Sequence, residues 1–202
     1  MGTERLQAFS DGVLAIIITI MVLELAPPHA TDVGALRPLL PAFLSYILSF
    51  IYVGIYWNNH HHLLYITERL NGAVLWANLH LLFWLSLFPF STAWMGENSF
   101  APVPTAIYGC VLLMAALAWW VLQRAILAGQ GDDSLVAAAM KRSYKEMASP
   151  LLYGTAIGLA FVEPWIACAI YAAVALIWFV PDRRVEHALA AQQSSNAEHR
   201  VR

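Results

Sequence analysis

Charge is scarce in this sequence. Eleven Lys and Arg and thirteen Asp and Glu make 12% of 202 residues, about half the share of an ordinary soluble domain. With 60% of residues hydrophobic, that scarcity excludes a disordered chain and argues against a water-soluble globule. A net charge of −2 and an isoelectric point near 6.4 point away from a nucleic-acid partner. Two cysteines, Cys110 and Cys168, both inside apolar runs, leave no disulfide framework and no CxxC metal or redox motif. Also missing are the P-loop, GxSxG, HExxH and GxGxxG, which removes the motif-based enzymes. The TVGYG filter of backbone carbonyls is absent too.

What the chain has is long uncharged stretches: residues 12–23, 38–67, 70–96, 98–123, 147–162 and 164–181. A bilayer-spanning helix needs roughly 20 apolar residues, so six stretches in this length predict an all-α polytopic membrane protein with six transmembrane helices. The expected spans are 8–26, 39–59, 72–94, 102–127, 147–162 and 164–180, forming one domain over 1–184. A polar tail, 185–202, follows. Pro27-Pro28 ends the first span and Pro164 opens the sixth. A secretory signal is the weaker reading of the first stretch, because Asp11 and Glu24 bracket it and its basic region is Arg5 alone.

Basic residues set the orientation. With six spans one side holds Arg5, Arg69, Arg124, Lys141, Arg142, Lys145, Arg183, Arg184, Arg200 and Arg202, and the other only Arg37. The positive-inside rule then puts both termini in the cytoplasm. The loop 129–146 is cytoplasmic in that arrangement, with room for an amphipathic surface helix.

The first span is the unusual one. With Ile16 at 0° and about 100° per residue, Ile20 falls near 40°, Leu23 near 340°, Thr19 near 300° and Asp11 near 220°. Ile16, Ile20 and Leu23 therefore form a stripe, which periodicity alone favours as lipid-facing or packing surface. Asp11 turns from it toward the chain's other helices, where a buried carboxylate needs donors, although a helix N-terminal acid is also a simple cap. Donors are at hand at the same membrane level: Trp57, Asn58, Asn59, His60, His61 and His62 end the second span, and Asn78 and His80 lie in the third. Three consecutive histidines invite a metal, but helical neighbours about 100° apart do not converge on one ion.

Arg5-x-x-x-Phe9-Ser10-Asp11-Gly12-Val13, with Ala15-Ile16, Thr19, Leu23 and Leu25, resembles the first-helix signature of the transmembrane protein 175 family of potassium channels. Tyr56-Trp57-Asn58-x-His60-His61 and the segment from Asn78 to Pro89-Phe90 resemble its second and third helices. The resemblance implies a single-repeat bacterial member in the inner membrane: a homotetramer whose first helices line a central pore without a re-entrant filter. It implies Ile16 as the hydrophobic constriction, Ile20 and Leu23 as the next rings, and Thr19 as the hydroxyl position tied to selectivity. Arg5, Phe9, Ser10 and Asp11 match the motif that braces the pore helix. Trp57, Asn58, His60, His61, Asn78 and His80 stand as the supporting polar network.

The expected activity is thus a cation channel preferring potassium. Its partners are monovalent cations and the lipid bilayer, with no cofactor and no enzymatic role. Glu24 near the outer end either concentrates cations or is a solvated helix-end charge. Two alternatives compete: a proton channel of the same fold, using His60, His61 and His80, and a metal-dependent membrane enzyme using His60 to His62 with Glu68 as carboxylate.

Overall fold

The structure is a computed structural model, which describes residues 2–67, 70–129 and 144–179. The charge-free stretches become helices because a backbone in hydrocarbon must satisfy its own hydrogen bonds. The helices are α1 (Thr3–Leu23), α2 (Leu40–Tyr65), α3 (Gly72–Ser86), α4 (Phe88–Glu97), α5 (Pro102–Ala128), α6 (Tyr144–Leu159) and α7 (Pro164–Phe179), with a 3₁₀ helix, Val33–Leu39, leading into α2. The described residues contain no strand.

Six columns result, since α3 and α4 run end to end and the 3₁₀ helix continues into α2. Among the described residues four stretches are long and apolar enough to cross a membrane: Thr3–Leu23, Val33–Tyr65, Gly72–Glu97 and Pro102–Ala128. The α6 and α7 helices, of 16 residues each, measure about 24 Å, short of a hydrocarbon core of about 30 Å. Both pack on α5, and α7 also packs on α2, so they belong to the same bundle.

Helix bounds differ from the expected spans at several places; α2 runs six residues past 59, to Tyr65, so His60, His61 and His62 are helical, and α6 covers Tyr144–Leu159 against an expected 147–162. The first helix starts at Thr3, five residues before residue 8, so the Arg5 to Asp11 motif is helical throughout. It stops at Leu23 rather than at 26, where Leu25 N donates to Val22 O at 3.2 Å and Pro27 disfavours helix in the residue before it. The third span is broken at Leu87, because Pro89 lacks the N–H that would reach Leu85 and is tolerated in the first turn of α4. The segment 130–143 and the tail 185–202 lie outside the described residues, as do Arg69, Lys141, Arg142, Arg183, Arg184, Arg200 and Arg202.

The α1 helix packs on α2, α3 and α4. A core of α2, α5, α6 and α7 stands behind them, knit by hydroxyls. Tyr153 donates to the Tyr52 hydroxyl at 3.2 Å, Tyr52 to the carbonyl of Tyr171 at 2.6 Å, and Tyr171 to the carbonyl of Thr105 at 3.2 Å. In a membrane this polar interior fixes the helix register that apolar packing alone leaves loose.

Candidate pore helix and its bracing

The buried residues of α1 are Leu6, Ser10, Leu14, Ile17 and Met21, which fall at roughly 80° to 160° when Ile16 is 0°. Across the helix, Arg5, Phe9, Gly12, Ile16, Thr19, Ile20 and Leu23 are exposed. Ile16 is 58% exposed, Ile20 40% and Leu23 79%. A single chain thus holds one side of α1 firmly and leaves an apolar stripe uncovered along its length. The Thr19 hydroxyl lies on that face and donates to the carbonyl of Ile16 at 2.9 Å, which leaves its oxygen lone pairs outward.

Ser10 is the deepest anchor. Its hydroxyl donates to the carbonyl of Leu6 at 2.9 Å and accepts from Asn78 Nδ2 at 3.0 Å. Because the Asn78 amide nitrogen is spent on Ser10, its Oδ1 is the acceptor for His60, 2.7 Å from Nε2. His60 therefore carries its proton on Nε2 and leaves Nδ1 without a partner. Ser10, Asn78 and His60 are all buried, so α1, α3 and α2 are tied through one three-residue chain.

Asp11 sits at the edge of this contact. It is half-buried and accepts one hydrogen bond, from Trp57 Nε1 at 3.0 Å. The expected buried carboxylate has its donor from the second helix but is only half-buried: at about 220° it lies roughly 100° from the centre of the buried arc, while Ser10, near 120°, occupies that centre. The Trp57 ring stacks on His61 with centroids 6.1 Å apart, and His61 Nδ1 accepts from Gln7 Nε2. Gln7 escaped the sequence reading, although its angle, about 180°, places it beside Asp11.

Other expected members stand apart. Arg5 and Phe9 are on the exposed stripe with Ile16, and their side chains form no hydrogen bond, ion pair or ring contact among the described residues. Within one chain they brace neither α2 nor α3, because helical angles of about 340° and 20° turn them away. His80 does not join the network. It is exposed and accepts from Trp84 Nε1, one turn along its own helix, at 3.0 Å. Asn58 is half-buried, without a side-chain hydrogen bond among the described residues, and Asn59 donates to the carbonyl of Ile55 at 2.8 Å.

The histidine run does not converge. His60 faces Asn78, His61 faces Gln7, and His62 meets the edge of the His61 ring. Among the described residues no group of three or more His, Cys, Asp or Glu is placed to hold a metal ion, and Glu68 lies outside those residues. The geometry gives the metal-enzyme alternative no support.

The sequence profile of the family described as endosomal/lysosomal potassium channel TMEM175 matches residues 5–89, which span α1, α2, α3 and their contacts. A potassium channel of Chryseobacterium sp. (strain P1-3) is 53% identical over 189 residues, covering 94% of this chain and 98% of that one. The chain belongs to the TMEM175 family. A crystal structure described as that of a lysosomal potassium-selective channel TMEM175 homolog from Chamaesiphon minutus superposes with a TM-score of 0.76 at 30% identity, covering 88% of this chain and 96% of that chain. The endosomal/lysosomal proton channel TMEM175 of Gallus gallus is 32% identical over 131 residues, 57% of this chain and 26% of its own length. As a TMEM175-family member this is an all-helical membrane protein, and the profile match ends inside α4. It therefore covers the pore-helix candidate and its bracing but not α5 to α7.

Proposed function

We propose that four copies of this chain form a potassium-preferring cation channel whose pore is enclosed by their α1 helices. One observation carries the reading: α1 is anchored by Ser10 and Asp11 on one side and uncovered along Ile16, Ile20 and Leu23 on the other. A single helix encloses no pore, so the uncovered stripe needs copies of itself. Four Ile16 side chains around an axis make an apolar ring that dewets when narrow and passes a partly hydrated ion when wide. One turn outward, Thr19 offers hydroxyl oxygens in place of hydration water. The relatives named as potassium channels support the choice of ion.

Positive-inside asymmetry supports cytoplasmic termini in a bacterial inner membrane. No cofactor or enzymatic step enters this mechanism.

A proton pathway is the second reading, favoured by the name of the avian relative and by His60 and His61 lying directly behind the pore helix. Flux from proteoliposomes with potassium, sodium or protons as the sole permeant cation separates the two. Potassium flux exceeding sodium flux supports the channel as proposed, proton flux alone moves the assignment to the second reading, and no flux of any cation overturns both. Native mass measurement is expected to show four copies, and a stable monomer in native membranes contradicts the pore.

A further inference from the structure

Behind α2 lies a cavity of about 330 Å³ between α2, α5, α6 and α7, open on one side. That is within the size range of small-molecule sites, roughly 300–1,000 Å³. Its α2 wall, Tyr52, Tyr56 and Asn59, lies roughly 130° around the helix from Trp57, His60 and His61, whose hydrogen bonds secure α1. The cavity is therefore distinct from the pore. Leu117, Trp120 and Met147 line it and are also exposed, so its open side is rimmed by apolar side chains. The α2 and α5 walls belong to stretches long and apolar enough to cross a membrane, which turns that opening toward hydrocarbon.

Aromatic rings dominate the walls. Tyr56 meets Trp119 edge to face with centroids 6.3 Å apart, Tyr52 lies 6.4 Å from Tyr153, and the Trp178 indole is fixed by donating to the Ser149 hydroxyl at 2.8 Å. Trp119 differs from Trp178 in this respect. Its side chain is 7% exposed, and its Nε1 has no acceptor among the described residues. A buried donor without a partner costs about 1–3 kcal/mol, and the cavity that the Trp119 ring borders is the space from which an acceptor can come. Glu146 is not free to hold an ion there: its Oε1 accepts from Gln123 Nε2 at 2.9 Å, and the residue has a further partner.

Aromatic faces are electron-rich, so walls made of them favour a flat, electron-poor ring packed offset or edge-on. The unpaired indole N–H calls for an acceptor on that ring, and the engaged carboxylate leaves the occupant uncharged. An apolar rim facing hydrocarbon admits an alkyl tail. We propose that this cavity is a binding site, one per subunit, for an uncharged lipophilic quinone: its ring lies among the tyrosines and tryptophans, one carbonyl oxygen accepts from Trp119 Nε1, and its tail leaves through the open side. Binding then pairs the donor that the folded chain leaves unpaired, at a site built from α2, α5, α6 and α7 alone.

The test titrates decylubiquinone into the full chain in lipid nanodiscs and reads the quenching of tryptophan fluorescence, since Trp119, Trp120 and Trp178 line the cavity. Because binding is read without flux, the outcome is independent of whether the chain conducts. The expected result is a saturable component of one quinone per chain, above the linear quenching by quinone dissolved in the lipid and retained in Ile16→Asn. Trp119→Phe, which keeps a ring but removes the N–H, weakens it roughly fivefold or more, the worth of one hydrogen bond. Ala116→Phe, or the smaller Ala116→Leu if the first does not fold, abolishes it. Decylbenzene, which has the ring and tail without carbonyl oxygens, competes more weakly than the quinone by a similar factor. The proposal is overturned by purely linear quenching of the parent, by saturable quenching undiminished in the filled cavity, by unchanged affinity in Trp119→Phe, or by decylbenzene competing equally well. Stronger competition by decyltrimethylammonium or by decanoate overturns it as well, since either selects a charged occupant.

Discussion

Asn78 donates to the Ser10 hydroxyl at 3.0 Å, and neither side chain exposes any surface. This bond is the interior fixing point of α1, with Asp11 and Trp57 as a more exposed second clamp. Removing Asn78 leaves His60 Nε2 without its partner as well, and an orphaned buried polar group costs about 1–3 kcal/mol.

Asn78→Leu is therefore expected to lower stability by about 1–3 kcal/mol. Asp11→Asn keeps an acceptor for Trp57 and is expected to lose less than about 1 kcal/mol. Thermal melting of the two purified variants checks the order. A larger loss from Asp11→Asn contradicts the assignment of Ser10 and Asn78 as the deeper anchor.

Gly109 in α5 leaves no room for a Cβ between Tyr171 of α7 and Ile157 of α6. A Cβ there would lie 2.0 Å from the Tyr171 hydroxyl, 2.8 Å from its Cζ and 2.9 Å from Ile157 Cγ1. Gly109→Ala must push the Tyr171 ring off the Thr105 carbonyl and is expected to cost about 1–3 kcal/mol, as overpacking does. Gly154→Ala, where a Cβ meets nothing within 4 Å, is expected to be neutral or mildly stabilising. Melting temperatures of the pair test this contrast directly.

Thr19 should govern discrimination more than throughput. Its hydroxyl donates to Ile16 O and keeps its lone pairs on the exposed face, so Thr19→Val removes a hydration substitute without adding much bulk. The expected outcome is a lower potassium-to-sodium permeability ratio with total flux changed less than twofold. Reversal potentials in bi-ionic gradients read the ratio, and an unchanged ratio removes Thr19 from the selectivity role.

Much of this arrangement was legible in the residues. Runs without charge are obligatory helices in lipid, and the step of about 100° places Ile16 opposite Ser10 before any fold is known. The same arithmetic puts Arg5 and Phe9 on the Ile16 face, so their separation from α2 and α3 was available from spacing. The break at Leu87 had its cause in view as well, in Pro89. Other features depend on tertiary packing and leave no trace in sequence. His80 shares the depth of His60, but its direction is set by Trp84 one turn along. The reach of Tyr52 to Tyr153 and Tyr171 joins residues about a hundred positions apart, and so does the aromatic cavity beside it.

The account rests on the exposed stripe of α1 facing a central axis, and cation flux through Ile16→Asn tests it most directly. Ile16 is exposed, whereas Ile18, at about 200°, is half-buried against the chain's own core. In assembled protein reconstituted into vesicles, Ile16→Asn is expected to raise potassium flux severalfold by making the narrowest ring wettable. Ile18→Asn is expected to lower stability instead, without raising flux. Potassium flux through a correctly assembled Ile16→Asn protein that equals the parent's would place the ion path elsewhere.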